Sequence, residues 1–356
     1  MRMARQWIEA AGYLVVLLPP ILLFAGVAYG YPSLAFVALI VVAPFLRVVF
    51  GDVSKAPPEW SEAAATVLHM LPNVTAAVYV ASLGGVLWRV HDSQPAGGTV
   101  YVGLGLSLWA VFTFGSCVAH ELVHRRDLNS KWLGQVLSGL IGYPLLEHEH
   151  RAHHAGGGSS AAPEWPRIDE SVWAFAARRA RHAARSAWEG NVEFAQRRGR
   201  RYFGGLHVAI PATVATAGGF VWAAGAAGVV TYAAVAVAVA WSMHAVTYVQ
   251  HWGLGDDSVG DAAVRDLGWE DHCRLQAWLT LGISFHQAHH HGNGVPFYRL
   301  APEEGAPRQP GGYVVLLVAS LVPSLWRALM LPALERWKAD PMQQGAPGRR
   351  LICISR

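Results

Sequence analysis

His120-Glu121-Leu122-Val123-His124-Arg125-Arg126 follows directly on an apolar run from about Gly98 to Ala119. If that run is a membrane helix, His120 and His124 extend it by about one turn at its polar end. Residues four apart share a helix face, so the two imidazoles make half of a metal site. A single ion takes three or four protein ligands. The remainder must come from elsewhere in the chain.

Composition fixes the setting. The chain has 356 residues, 53% hydrophobic and 15% charged. Soluble domains carry about 25% charged residues, so the deficit points to an integral membrane protein. A span needs about 20 mostly apolar residues. Six runs qualify: about 11–30, 32–50, 63–88, 98–119, 204–226 and 229–250. Arg2 and Arg5 precede the first run, which is longer than a signal-peptide core and passes straight into the second. Pro19-Pro20 should bend it, because proline removes a helix hydrogen bond. Gly225 to Gly228 offers a tight turn between the fifth and sixth runs. The predicted fold is an all-α integral membrane protein. It forms one membrane-embedded catalytic domain over residues 1–356, ending in a polar tail at 336–356.

Orientation follows from the loops. With a cytoplasmic N-terminus, segments 51–62, 120–203 and 251–356 are cytoplasmic too. They hold Arg125, Arg126, Arg151, Arg178, Arg179, Arg181, Arg185, Arg197, Arg198, Arg200 and Arg201. The outer links hold little beyond Arg89. This is the positive-inside bias, and it puts every histidine cluster on the cytoplasmic side, in a helical cap spanning 120–203 and 251–335. A last apolar stretch, Gly312 to Leu334, reads as a helix covering the site rather than a seventh span, since Pro323, Trp326 and Arg327 interrupt it.

Four histidine clusters stand in the sequence. The first is His120 and His124. The second is Glu147-His148-Glu149-His150-Arg151-Ala152-His153-His154. The third is His251, in Tyr248-Val249-Gln250-His251-Trp252-Gly253-Leu254. The fourth is His286-Gln287-Ala288-His289-His290-His291. Taking His150 gives His-x-x-His-His in the second cluster, matching His286, His289 and His290 in the fourth. Nine imidazoles are too many for one ion and suit two. His148 and His291 remain alternatives. His69, His91, His182 and His207 read as packed or surface residues. His244 shares a face with His251 and reads as packing or outer support. Glu121, Glu147, Glu149, Asp256, Asp257, Glu270 and Asp271 lie close enough in sequence to hold imidazole N–H groups or to be plain surface carboxylates.

Imidazole suits iron, zinc, copper and nickel alike. Cys117, Cys273 and Cys353 show no paired spacing, which excludes a cysteine zinc module and a fused Cys-x-x-C iron carrier. No glycine-rich dinucleotide motif follows a strand, so NAD(P)H has no site of its own here. The formal charge of +4 is modest and gives no reason to expect nucleic acid. Membrane lipid is the expected surroundings.

The four clusters together resemble the integral-membrane alkane hydroxylases (alkane 1-monooxygenases), within the histidine-box group of membrane fatty-acid desaturases and hydroxylases. The carrying residues are HELVHRRD (120–127), EHRAHH (149–154), TYVQHWGL (247–254) and FHQAHH (285–290), supported by PEWPRIDESVWAF (163–175) and PGGYVVLLVASLVPSLWRALMLPAL (310–334). Coverage is about 115–335. The resemblance implies two non-haem iron ions held by His120, His124, His150, His153, His154, His251, His286, His289 and His290. It implies dioxygen as co-substrate, terminal hydroxylation of an alkane or related hydrocarbon, and electrons from a rubredoxin or ferredoxin with its reductase. It also implies a multi-pass place in a bacterial inner membrane. There are two departures. His150 stands three before His153, a desaturase-like spacing, where the family uses four. Trp252 replaces the tyrosine that usually follows the third-box histidine, and is expected to alter the pocket wall.

Three rivals follow from the same residues. A desaturase, decarboxylase or epoxidase would share the iron site. An intramembrane zinc protease would use His120-Glu121-x-x-His124 with Glu121 as base, leaving seven clustered histidines unused. A metal transporter would want its ligands near the bilayer midplane rather than at helix ends.

Overall fold

The computed structural model describes residues 2–54, 59–94, 97–155, 165–197, 199, 206–254, 267–292 and 294–339. Lys55, Pro57, Pro58, Arg198, Arg200, Arg201, Asp256, Asp257 and most of the 336–356 tail lie outside them. Among the described residues the chain is helical, with two isolated β-bridges and no strand.

Four helices have the length and apolarity to cross a membrane: α1 (Gln6–Ala28), α3 (Glu62–Ser93), α4 (Gly98–Val123) and α8 (Leu206–His251). A shorter apolar helix, α2 (Leu34–Phe50), follows α1. Each coincides with one or two of the apolar runs. The bend expected at Pro19-Pro20 is realised just before them, as a 3₁₀ turn at Tyr13–Leu17. Val37–Val42 of α2 is a π turn, a distortion that often marks functional regions. Ser61 caps α3 by accepting from the Ala64 amide at 3.3 Å.

α8 is two arms. Ala224 and Gly225 leave helical geometry, and Gly225 takes φ 57°, a conformation that favours glycine. Phe220 and Tyr232 then stack at 5.0 Å between ring centroids. Twelve residues along a straight helix would separate them by about 18 Å, so the arms fold back on each other. His91 stacks on Trp222 at 4.1 Å, and Gln94 donates to the Ala223 carbonyl at 3.3 Å, tying the end of α3 to this turn.

The helices meet through small residues and interhelical hydrogen bonds, each worth about 1 kcal/mol in a membrane. Trp109 Nε1 donates to Ser242 Oγ at 2.9 Å. Tyr79 donates to the Val111 carbonyl at 3.0 Å, and Tyr232 to that of Gly139 at 3.0 Å.

Beyond the long helices come α5 (Leu128–Leu140), α6 (Leu146–Ala155), α7 (Val172–Arg197), α9 (Arg274–Leu279), α10 (His286–His291), α11 (Tyr313–Ser320) and α12 (Pro323–Lys338). The late apolar stretch breaks ahead of Pro323 into α11 and α12. Neither is among the membrane-capable helices. α12 packs Trp326 against Tyr248 at 5.2 Å and Trp252 at 5.7 Å, so it covers the end of α8 that carries His251.

Candidate metal centre

Each histidine cluster reaches the site by a local rule. α4 ends at Val123 with His124 as its C-cap, so His120 and His124 leave the bundle together. α6 and α10 each bear histidines at i, i+3 and i+4, which share a face. His251 is the last residue of α8.

The structure sorts eight of them into two quartets. His120, His124, His150 and His289 have ligand nitrogens within 4.8 Å of one another, and so do His153, His251, His286 and His290. The second set is wholly buried; three of the first are only partly so. His154 lies between them, its ring 4.4 Å from His150 and 4.5 Å from His290. Its Nε2 is 3.3 Å from that of His289. All nine predicted ligands are therefore in one place. His291 turns away to Glu303 at 2.7 Å, and His148, His182 and His207 belong to neither quartet. His244 faces Glu149 at 3.3 Å, and His69 meets Arg125.

The nitrogens are arranged as a cation requires. Nε2 of His124 is 2.6 Å from that of His150. Nε2 of His251 is 3.1 Å from His153 and 2.8 Å from His286, and His286 is 3.1 Å from His290. His251 Nδ1 donates to the Leu267 carbonyl at 2.9 Å. That bond fixes the tautomer and leaves a lone pair on Nε2. Lone pairs converging in this way repel unless a cation takes them, so the residues present fit two bound metal ions.

Burial keeps these imidazoles neutral, the state a metal needs. Burial, then the neighbouring histidines, pushes His150, His153, His286, His289 and His290 below the usual histidine range. His124 is pushed down to about 4 by burial, then by His154, Arg151 and Lys131. A test follows. The unfolded chain protonates this imidazole from about pH 6.5 downward, whereas the folded one stays neutral to about 4. Between those values the unfolded state binds more protons, so the metal-free fold loses stability as pH falls through the window. Its melting temperature in detergent should drop from pH 6.5 to 4, and less steeply in His124→Gln. An unchanged slope in that variant would refute the assignment.

Among the described residues, the neighbouring carboxylates are neither surface groups nor imidazole partners of the nine. Glu121, Glu147, Glu149, Glu270 and Asp271 are all buried. Glu121 pairs with Arg125 at 2.8 Å, Glu147 with Arg151 at 2.9 Å and Glu149 with Arg179 at 2.9 Å. Asp271 pairs with Arg47. The first two pairs lie four residues apart within one segment, whereas Glu149–Arg179 ties α6 to α7 and Asp271–Arg47 ties its segment to α2. Sequence reasoning missed the Leu267 carbonyl, His272, and Trp165, whose ring lies 4.0 Å from His251. Nothing in the local pattern marks them, because their partners are distant in sequence.

A cavity of about 190 Å³ runs up to the histidines. One face of α4 lines it with Trp109, Thr113, Ser116, Cys117 and His120, and α8 contributes Ser242, Val246 and Gln250. It also touches His150, His153 and His286, so it reaches both quartets. Trp252 is not in its wall, contrary to the expectation from sequence. Buried against Trp326 in the aromatic cluster under α12, it supports the site from behind.

Comparison with known proteins agrees with this geometry. The profile of the fatty acid desaturase family matches residues 95–305. Alkane 1-monooxygenase 1 of Pseudomonas aeruginosa is 25% identical over 318 residues, covering 85% of this chain and 83% of that protein. An alkane 1-monooxygenase of Pseudomonas putida is 23% identical over 309 residues, 83% and 76% of the two chains. The xylene/toluene monooxygenase hydroxylase component XylM of Pseudomonas putida is 26% identical over 249 residues, 67% and 64%.

Proposed function

This chain belongs to the fatty acid desaturase family, on its alkane-hydroxylase side, and on that premise we propose that it is a membrane di-iron monooxygenase of hydrocarbons. Its substrate is an alkane or related alkyl chain, hydroxylated at the terminal carbon. One oxygen atom of dioxygen enters the C–H bond and the other leaves as water, with electrons from a rubredoxin or ferredoxin and its reductase. The observation that carries this reading is the cavity ending on members of both quartets.

Bound iron supplies the oxidising power that an aliphatic C–H bond demands and no side chain provides. The protein does the rest. His120, His124, His150 and His289 hold one ion, His153, His251, His286 and His290 the other, and His154 stands where it can serve either. Leu267 holds His251 in the right tautomer. Trp109, Val246 and the other lining residues keep water out and feed the chain end first towards the histidines. Arg125 occupies Glu121, the base a zinc protease would need free.

In this reading the chain is one catalytic domain of a bacterial inner membrane with six spans, α8 counted as two, and its N-terminus and histidines face the cytoplasm, where the arginine bias of the loops puts them. Apolar substrate then arrives from the bilayer and electrons from a soluble carrier.

The test supplies purified protein with labelled dioxygen, an electron donor and octane or dodecane. A labelled terminal alcohol and about two iron atoms per chain are expected. An alkene without label makes the enzyme a desaturase or decarboxylase, and a labelled epoxide from an alkene substrate an epoxidase. A single zinc with chelator-insensitive activity defeats the proposal.

A further inference from the structure

Residues 267–273 lie outside all four histidine clusters, yet they touch the elements that carry three of the four buried ligands. The Leu267 carbonyl accepts from His251. Gly268 lies against His286 so closely that a Cβ there would come within 2.7 Å of its ring. The Trp269 amide donates to the Gln250 carbonyl at 2.8 Å, and its indole to that of Trp252 at 2.8 Å. The Asp271 amide donates to the Ser284 carbonyl at 2.9 Å. The segment is itself held by a bridge to Arg308, with Glu270 donating to Pro307 at 2.8 Å and accepting from Gln309 at 2.9 Å.

Glu270 sits at its centre with a fully buried side chain. One carboxylate oxygen accepts from the Ala288 amide at 3.1 Å. The other accepts from the Glu303 amide at 3.1 Å and meets His272 Nε2 at 3.2 Å. The first of these bonds answers a structural difficulty. α10 has six residues, and its N-cap position is Phe285, which offers no side-chain cap. A helix this short does not hold itself, and its first-turn amides need outside acceptors. Glu270 supplies one from eighteen positions upstream, as a charged acceptor at the positive end of the turn.

We propose that Glu270 is a positioning residue for the metal centre: it caps α10 from a distance and so aims His286 and His290 at the buried quartet and His289 at the other. This rests on the reading of the quartets as metal sites, but not on the metal being iron or on the reaction.

The experiment uses the full chain in nanodiscs, stripped of metal and titrated with Co²⁺, whose visible absorption reports imidazole coordination. Hydrogen exchange of the Ala288 amide is followed in the metal-free protein. In Glu270→Ala, Co²⁺ affinity should fall about 10- to 100-fold, the usual effect of losing an outer partner, with the deficit greatest for one of the two ions. Ala288 should exchange faster. Glu270→Gln keeps the shape and one accepting oxygen, so it should fall between the two. Asp52→Ala removes the ion pair with Arg308. It loosens the same bridged segment without touching α10, and should lower the melting temperature while leaving Co²⁺ affinity alone. Parental affinity and protection in folded Glu270→Ala, or in Glu270→Gln should the alanine variant not fold, overturns the proposal. So does equal loss of affinity in Asp52→Ala. A parent chain that binds no Co²⁺ refutes the metal reading of the quartets, and Ala288 exchange then still decides whether Glu270 is the cap.

Discussion

Replacing His289 with alanine is expected to remove one metal ion and leave the other, and replacing His290 should do the reverse. Adjacent residues on a helix diverge by about 100°, and α10 uses that divergence to aim its two histidines at different ions. The structure puts His289 with His120, His124 and His150, and His290 with His153, His251 and His286. Metal content should fall from about two ions per chain to about one in either variant. Turnover should fall by more than about 100-fold in both, because even outer-shell losses cost 10- to 100-fold. His291→Ala is the control: its ring pairs with Glu303 instead, so both ions and turnover should survive. Metal analysis on anaerobically prepared protein, with the absorption of the Co²⁺-loaded form, tells the variants apart. Identical spectra for the residual ion in His289→Ala and His290→Ala would mean a single site, and the two-ion reading would fall.

The parts of this architecture that were legible in the sequence are those set by a local period. The spacing of His150, His153 and His154, and of His286, His289 and His290, fixes a shared helix face wherever the helix goes. Apolar runs of about 20 residues mark the long helices, and Gly225 marked the fold-back within α8. The division of the nine histidines was not legible. His153 and His154 are neighbours, yet one belongs to the buried quartet and the other stands between the two. That depends on how α6 is rotated against α8 and α10, which Arg179 and Glu149 help to set across two helices. Trp252 was misjudged for the same reason. Its place after His251 suggested the pocket wall, but α12, about seventy residues later, draws it into another core. Glu270 stood among the possible outer carboxylates. Its contacts with two backbone amides and with His272, which is not one of the nine, could not be read from spacing.

The cavity makes the longest-range prediction, because one face of α4 acts as a ruler. Thr113 lies seven residues before His120 and Trp109 eleven before it, about 10 and 16 Å along the helix. Both line the cavity, and Trp109 is held there by Ser242 of α8. A phenylalanine at 113 fills the passage part-way, so substrates reaching past it lose their burial while shorter ones do not. Each excluded methylene forfeits about 0.8 kcal/mol, about fourfold in kcat/KM. Thr113→Phe should therefore leave the shortest accepted alkanes nearly unaffected and depress longer ones progressively, by about 10- to 100-fold once two or three methylenes are excluded. Trp109→Ala should act in the opposite sense, opening the far end and raising longer chains by about fourfold per methylene admitted. Competition among alkanes of graded length, with products resolved by mass spectrometry, measures both effects in one vessel. The length dependence is the essential part. A substitution that merely loosened the bundle would lower every substrate alike. Uniform loss in both variants would show that the chain does not lie along α4 and that the ruler is elsewhere.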